Sequence, residues 1–177
     1  DPRGMKGQAL TYAVADRGGC HLRSSTLKTE LIGIPRLYDR YAYDEKAEMV
    51  RELQLNNATY NCLIACLFGT FALSLEDYAE ALSTILDGPV TVEELRTIGE
   101  KALNLARLFN GREGFFRRDD TLPARLFSQA ATRGPSKGEV VDRDAFEKML
   151  VEYYQCMGWD KRTGQPTEEK LKELGLW

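Results

Sequence analysis

Two cysteines four residues apart are the side chains in this sequence best suited to metal chemistry. Cys62 and Cys66 lie in the apolar run Asn-Cys-Leu-Ile-Ala-Cys-Leu-Phe at residues 61–68, and the chain has one histidine, His21. Thiolates and imidazoles are the ligands that zinc and iron–sulfur centres use. Two other interpretations are open. The cysteines could be small buried residues on one helix face, or they could join His21 and its neighbour Cys20 in a structural zinc site, although adjacent residues make poor joint ligands.

The composition is that of an ordinary globular protein. The 177 residues are 43% hydrophobic and 29% charged, with a formal net charge of −3. Because there is no basic excess to attract phosphate groups, we expect no nucleic acid as a partner. No run approaches the roughly 20 apolar residues that are needed to cross a bilayer, so we expect no membrane partner either.

The cysteine pattern favours a reducing compartment. The four cysteines, at positions 20, 62, 66 and 156, are dispersed in a chain that has enough apolar residues for a core of its own. That pattern is not typical of a disulfide scaffold, and there is no recognisable secretory signal, so we expect a cytoplasmic protein. The sequence begins abruptly at Asp1 without a methionine. We therefore expect a fragment of a longer protein.

Helical periodicity dominates the sequence, and the clearest helix is predicted from residue 92 to residue 109. Apolar residues recur there every three or four positions, and Thr91 with Glu94 forms a capping-box pattern before them. Three further helices have recognisable caps. They are predicted over 75–86 with the cap Ser74, over 145–157 with the cap Asp142, and over 168–174 with the cap Thr167.

The remaining segments are less regular. Residues 6–15 predict a weak helix that ends before a pair of glycines. Residues 45–53 favour a helix, but Asn-Asn-Ala-Thr at 56–59 predicts a break or a second helix start. Residues 110–141 are rich in Gly, Pro, Arg and Asp and predict an irregular connection, in which Arg-Arg-Asp-Asp at 117–120 forms a self-compensating charged turn. No segment shows strand alternation, so the predicted fold class is all-α.

Taken together, these segments resemble the C-terminal helical part of the tungsten-containing aldehyde ferredoxin oxidoreductase family. The resemblance extends over nearly the whole chain, since the matching pieces follow the order and spacing of the family. They are Asp-Pro-Arg-Gly at 1–4 with Lys-Gly at 6–7, residues 13–22 ending in Arg-Gly-Gly-Cys-His-Leu, the cysteine segment, Ala-Leu-Asn-Leu-Ala-Arg-Leu-Phe-Asn at 102–110 with Arg-Glu-Gly-Phe at 112–115, Asp-Asp-Thr-Leu-Pro at 119–123, and residues 153–159 with 171–175.

The resemblance implies a cytoplasmic oxidoreductase that converts aldehydes to carboxylic acids and passes the electrons to ferredoxin. In the implied three-domain protein, one β domain and two helical domains hold tungsten on two pterins of the molybdopterin type, with a 4Fe-4S cluster nearby. This chain would be the last domain, with 1–40 as an interdomain segment that includes the active-site turn and 41–177 as the helical core. Expected partners are the upstream domains, ferredoxin and the aldehyde substrate, and a homo-oligomer is compatible with the family. The isolated chain is expected to bind no cofactor and to be inactive.

The resemblance also assigns roles to residues of the cysteine segment. The DxxGxC motif of the family, with an aromatic residue two positions after its cysteine, falls on Asn61 to Cys66 with Phe68. Cys66 would then be a thiolate ligand of the iron–sulfur cluster. Asn61 and Ala65 would lie against the pterin. A register ending at Cys62 is the alternative, and the aromatic at position 68 favours Cys66.

His21 and Arg23 are the candidates outside that segment. His21 follows two glycines, so we expect it in a turn, and it matches the family histidine beside the tungsten site. An imidazole there can donate a proton to the reacting oxygen or accept one from it. Arg23 could place its cation against the pterin or its phosphate. The interpretations without a function are a histidine bonded to a backbone carbonyl and a solvated surface arginine.

Two positions depart from the family pattern. Asn61 replaces an aspartate, so a neutral amide stands where a carboxylate would accept paired hydrogen bonds. Ile64 replaces a glycine, a residue that normally allows close approach of the backbone to a ligand. The departures leave an alternative function open: a non-catalytic helical interaction module derived from this family. In either case, a domain without its neighbours should expose apolar surface around residues 63–71.

Overall fold

The computed structural model describes residues 1–177 and contains seven α-helices, joined by short 3₁₀ and π turns, with no strand. The all-α prediction is confirmed. The helices are α1 Lys6–Val14, α2 Lys46–Cys62, α3 Leu75–Ile85, α4 Val92–Arg112, α5 Arg125–Ser128, α6 Arg143–Met157 and α7 Glu168–Glu173. The short α5 lies in the region that was predicted to be irregular. None of the helices combines the length and the hydropathy that crossing a membrane requires.

The predicted caps fix the starts of four helices. At the start of α4, the Thr91 hydroxyl accepts a hydrogen bond from the Glu94 N–H at 3.2 Å, and the Glu94 carboxylate accepts one from the Thr91 N–H at 2.8 Å. The side chains of Ser74, Asp142 and Thr167 accept backbone N–H groups in the same way at the starts of α3, α6 and α7. Because these side chains pair N–H groups that have no partner within the helix, each start is determined locally.

The central helix is α2, which packs against α1, α4 and α6. It does not break at residues 56–59, so that prediction is wrong. The Asn57 side chain donates to the Leu22 carbonyl at 3.0 Å, and the Thr59 hydroxyl donates to the carbonyls of Leu55 at 2.9 Å and Leu95 at 3.1 Å. The bonds to Leu22 and Leu95, which lie outside α2, engage side chains that would otherwise compete with the helical backbone, so tertiary contacts override the weak helix propensity here.

One hydrophobic core joins α1, α2 and α6 and includes Trp159, just after α6. Leu10 on α1 and Phe146 and Met157 on α6 have no exposed surface. Burying side chains of this size contributes about 1.5–3 kcal/mol each, so these contacts dominate the stability of the chain. Part of the predicted interdomain segment, the helix α1, thus packs in the same core as α2 and α6. The role of residues 1–40 toward other domains stays a prediction.

A buried ion pair fixes the connection after α4. Asp120 was predicted to lie in a self-compensating charged turn, but it is only 6% exposed and pairs with Arg107 instead. The two side chains make two hydrogen bonds, one of 2.9 Å, and the Tyr154 hydroxyl also donates to Asp120. Arg107 donates further to the Gly164 carbonyl at 2.7 Å. Side chains far apart in sequence therefore neutralise both charges inside the fold.

Candidate functional site

His21 is exposed in a turn that follows α1, as the sequence predicted. An ion pair closes this turn, since the Arg23 Nε donates to the Asp16 carboxylate at 2.7 Å. Both side chains of the pair are about a quarter exposed, at 25% and 22%. Arg23 is thus not a freely solvated surface residue, because one side of its guanidinium group is held by a carboxylate of the same turn.

Two asparagines on the helices hold the turn in place. Asn57 on α2 donates to the carbonyl of Leu22, the residue after His21, at 3.0 Å. Asn110 on α4 donates to the carbonyl of Asp16 at 2.6 Å. Neither asparagine was among the predicted site residues. Asn57 lies in the run that predicted a break and Asn110 begins the segment that was predicted to be irregular, so the sequence pattern gave no signal for either role.

Cys20, directly before His21, carries a thiol with a shifted pKa. The Arg17 guanidinium donates to its sulfur through Nε at 3.3 Å and Nη2 at 3.1 Å. Partial burial raises the pKa of the Cys20 thiol, but the hydrogen bonds from Arg17 and from the backbone N–H groups of Leu22 and Arg23 outweigh burial, so the pKa is lowered overall. The lowered pKa means that this thiol, next to His21, ionises more readily than an ordinary cysteine.

A cleft with a volume of about 240 Å³ lies between this turn, α2 and α4. Its lining includes Asp16 and Arg23 from the turn, Gln54, Asn61 and Cys62 from α2, and Leu103 from α4. Two predicted cofactor-binding residues, Arg23 and Asn61, therefore lie in one cleft with a mixed polar and apolar lining. Asp16 and Gln54 were not among the predicted site residues, because they reach the cleft through tertiary contacts.

A second, narrow cavity lies further inside. It shares Asp16, Arg23 and Gln54 with the cleft and reaches Tyr153 and Trp159 in the core. Its volume of about 10 Å³ is close to what one water molecule needs. The Tyr153 hydroxyl donates to the Gln54 side chain, and burial raises the pKa of Tyr153 far above its ordinary value. Tyr153 therefore keeps its proton and acts as a hydrogen-bond donor at the inner end of the cleft.

The backbone at the end of α2 explains why the family pattern has a glycine where this chain has Ile64. The Ala65 N–H donates to the Tyr60 carbonyl at 2.9 Å, and the Ile64 N–H donates to the Asn61 carbonyl at 3.1 Å. These two bonds form a Schellman motif, which needs a left-handed residue, usually glycine, after the helix. Ile64 fills that position with φ 56°. The motif also occupies the backbone N–H of Ala65, so only its carbonyl is available to a cofactor.

Cys66 begins the next turn and is exposed. It immediately precedes the 3₁₀ turn Leu67–Phe71, and its carbonyl accepts the Gly69 N–H at 2.8 Å. Cys62 is exposed as well, so the interpretation of both cysteines as small buried residues on one helix face is wrong. An exposed thiol can serve as one ligand of an iron–sulfur cluster, and the remaining ligands would then come from elsewhere.

The structure contains no group of three or more His, Cys, Asp or Glu side chains that could hold a metal ion. The zinc site formed by Cys20, His21, Cys62 and Cys66 is therefore wrong.

The His21 turn and the Cys66 segment meet the same part of α2. Asn57 holds the turn, and Asn61 lies one helical turn further along the same face, five residues before Cys66. Neither His21 nor Cys66 lines the cleft or the inner cavity. That the two side chains reach one inorganic centre stays a prediction.

Sequence comparisons identify a family and several proteins to which this chain is similar. A family profile described as aldehyde ferredoxin oxidoreductase, domains 2 and 3, matches residues 1–176. The tungsten-containing aldehyde ferredoxin oxidoreductase of Pyrococcus abyssi (strain GE5 / Orsay) is 40% identical over 99% of this chain. The enzyme of that name from Thermococcus kodakarensis is 37% identical, and a Pyrococcus furiosus protein named aliphatic sulfonate oxidoreductase, WOR-like subunit, is 28% identical over 94% of the chain and 24% of its own length. The chain spans 29% of the length of the first two relatives.

A comparison of structures finds the same fold in another enzyme. The active-site complex BamBC of benzoyl coenzyme A reductase, solved with 1,5-dienoyl-CoA, matches 85% of this chain and 22% of that chain. The TM-score is 0.62 and the sequence identity is 22%. At that identity the match concerns the fold alone.

Proposed function

This chain belongs to the aldehyde ferredoxin oxidoreductase family, and from that membership we propose that it is the C-terminal domain of a cytoplasmic enzyme that oxidises aldehydes to carboxylic acids. In this reaction an aldehyde and water give a carboxylic acid, two protons and two electrons. The electrons would leave through a 4Fe-4S cluster to ferredoxin. The observation that carries the proposal is the 40% identity to a tungsten-containing aldehyde ferredoxin oxidoreductase over 99% of the chain.

The residues of the candidate site have matching proposed roles. Cys66 would supply one thiolate to the cluster, which its exposure allows. Asn61 and Arg23 would border the tungsten–pterin group from the cleft that they share. Ala65, which does not line that cleft, would offer its backbone carbonyl to the same group. His21 would donate a proton to the substrate oxygen or accept one from it. When bound, the tungsten–pterin group supplies the two-electron redox chemistry.

The test is metal analysis of the polypeptide that joins this chain to its proposed upstream domains. We expect tungsten together with about four iron atoms per polypeptide, and aldehyde-dependent reduction of ferredoxin or a viologen dye. Cys66→Ser should lower the iron content and the dye reduction. Cys62→Ser is the matched control, since it removes an exposed thiol of the same segment and should leave the iron content unchanged.

The alternative function, a non-catalytic interaction module, is favoured by the two departures at Asn61 and Ile64. A correctly folded polypeptide without tungsten and iron would support this alternative and contradict the enzyme. Equal iron loss in Cys66→Ser and Cys62→Ser would contradict the assignment of Cys66.

A further inference from the structure

The turn that carries His21 is flexible in its composition. Gly18 has φ 83° and Gly19 follows it, and a Cβ built on either glycine would meet no atom within 4 Å. The His21 side chain is exposed, so the position of the imidazole follows the backbone of the turn. Two adjacent glycines without packing contacts have a large conformational entropy, so such a segment stays in one place only where other parts of the chain hold it.

The two ends of this turn are fixed by contacts of their own. After the turn, the Thr11 hydroxyl on α1 donates to the Ser24 carbonyl at 2.9 Å, and neither residue has exposed surface. The ion pair of Arg23 and Asp16 joins the two ends to each other. These contacts do not determine how residues 17–22, between the ends, lie against α2 and α4.

Two amide side chains connect the turn to those helices. Asn57 on α2 donates to the Leu22 carbonyl at 3.0 Å, and Asn110 on α4 donates to the Asp16 carbonyl at 2.6 Å. The two acceptors lie on either side of His21 in the sequence. Because α2 and α4 pack against each other, both donors belong to one rigid scaffold.

An amide suits this role better than a charged side chain. The asparagine NH₂ group donates hydrogen bonds and carries no charge. It therefore binds a carbonyl oxygen without placing a charge near His21, where a charge would change the proton affinity of the imidazole. An aspartate in the same place has nearly the same shape but only accepts hydrogen bonds, so its oxygen and the carbonyl oxygen would repel each other.

We propose that Asn57 and Asn110 are positioning residues for His21. The inference rests on the proposed function, in which His21 donates a proton to the substrate oxygen or accepts one from it. Proton transfer needs hydrogen-bond distance between the two atoms, and a displacement of about 1 Å can lower the rate about a hundredfold. The two amides keep the imidazole of a glycine-rich turn within that tolerance.

The first test measures the mobility of the turn in the 177-residue chain without a histidine tag. His21 is the only histidine, so ¹⁵N-histidine labelling gives one backbone amide signal in the NMR spectrum. We expect an order parameter of about 0.85 for this amide in the unsubstituted chain and below about 0.6 in Asn57→Asp and in Asn110→Asp. Asn56→Asp is the matched control, because the Asn56 side chain accepts from Arg96 and an aspartate there still can.

The second test is a double-mutant cycle in the longer polypeptide that includes the proposed upstream domains, with aldehyde-dependent dye reduction as the rate. Asn57→Asp should lower kcat about tenfold to a hundredfold and change KM by less than about twofold, because the imidazole is displaced and substrate binding is not. In a His21→Ala background the same substitution should change kcat by less than about twofold, because no imidazole is left to position. Asn110→Asp should behave like Asn57→Asp, and Asn56→Asp should leave kcat unchanged.

Two results would overturn the inference directly. Losses of kcat that multiply in the double variants would mean that the amides act independently of His21. Equal order parameters of His21 in Asn57→Asp and Asn56→Asp, with the helix content unchanged by circular dichroism, would mean that the amide does not hold the turn. If Asn57→Asp does not fold, the half-buried Asn110 decides both tests through Asn110→Asp.

The tungsten content and the single variant His21→Ala separate this inference from the proposed function. A longer polypeptide without tungsten and without dye reduction would overturn the proposed function, while a mobile His21 in the two aspartate variants would still support the hold of the amides on the turn. An active polypeptide whose kcat does not change in His21→Ala would overturn the positioning role and leave the oxidation of aldehydes standing.

Discussion

Two regions of this molecule differ in how completely the chain buries their side chains and pairs their polar groups. Between α4 and α6, the Arg107 guanidinium pairs with Asp120 and lies 5.0 Å from the centroid of the Trp159 ring, and all three residues are buried. In the segment after α2, Ile64 and Phe68 are exposed, and these two side chains are here called the Ile64 face. The first region, called here the Arg107 interior, is complete within the chain. The Ile64 face is not buried by any part of the chain.

In the Arg107 interior, the Tyr154 hydroxyl also keeps its proton. Burial raises the pKa of the Tyr154 hydroxyl far above its ordinary value, and the adjacent Asp120 carboxylate raises it further. Tyr154 therefore remains a hydrogen-bond donor to Asp120. An ion pair with this arrangement of donors is stable in the interior because no charge or acceptor is left without a partner. Completeness of polar contacts thus distinguishes this region from the Ile64 face.

The largest expected difference between the two kinds of region is in the cost of removing an aromatic ring. Phe146 is completely buried and packs edge-to-face against Phe127 with ring centroids 5.5 Å apart. Phe146→Ala should lower the free energy of unfolding by about 3–5 kcal/mol, because it opens a cavity in the core. Phe68→Ala should change the unfolding free energy by less than about 0.5 kcal/mol, because little of the ring is buried within the chain. Urea denaturation followed by circular dichroism measures both.

The two variants together test the contrast between the core and the Ile64 face. Similar losses of stability would mean that the Ile64 face is packed within the chain, and the contrast between the regions would fail. A small loss at Phe146 would contradict the assignment of the core to α1, α2 and α6.

The parts of the fold that the sequence predicts are those with local causes. The Thr91–Glu94 cap lies within four residues, so its pattern is visible without a structure. The continuity of α2 has a distant cause, because Asn57 finds its acceptor on Leu22. Local propensity alone predicts a break there. The ion pair of Arg107 and Asp120 was missed for the same reason, since its partners lie 13 residues apart and meet across a turn.

The candidate site was predictable only in part. The family resemblance named Arg23 and Asn61, which lie in one cleft, but Gln54 and Asn110 come to the site through tertiary contacts that leave no pattern. Periodicity could not reveal the exposure of Cys66 either. An apolar run looks the same whether its own chain or another segment covers it.

A smaller effect is expected from relieving the strain at Ile64. Ile64→Gly should raise the free energy of unfolding of the 177-residue chain by about 1 kcal/mol, because glycine removes the cost of a left-handed β-branched residue. Ile85→Gly in α3 is the matched control, since that side chain is also exposed but its backbone is helical. It should lower the free energy of unfolding by about 0.5 kcal/mol. Chemical denaturation of both variants gives the comparison.

The expected result is that the free energy of unfolding changes with opposite signs in Ile64→Gly and Ile85→Gly. Destabilisation by Ile64→Gly would show that its side chain already makes favourable contacts within the chain. Contacts within the chain would then compensate the strain at Ile64.

The smallest expected effect concerns one thiol beside the cleft and one on α6. Hydrogen bonds from Arg17 and the turn backbone lower the pKa of Cys20 despite its partial burial, whereas burial and the nearby Glu48 carboxylate raise the pKa of Cys156. Because only the thiolate is alkylated, the pH of half-maximal iodoacetamide labelling should be lower for Cys20 than for Cys156. Peptide mass spectrometry across a pH series measures both thiols in one sample.

Arg17→Ala isolates the cause of the difference. Without the guanidinium group the thiolate loses two hydrogen bonds and a positive charge, so the labelling midpoint of Cys20 should move to higher pH while that of Cys156 stays in place. Arg118→Ala is the control, because that exposed arginine pairs with Asp119 instead. An unchanged Cys20 midpoint in Arg17→Ala would mean that the backbone N–H groups of the turn stabilise the thiolate by themselves. The turn before His21 would then act as an anion-binding backbone loop that needs no cation.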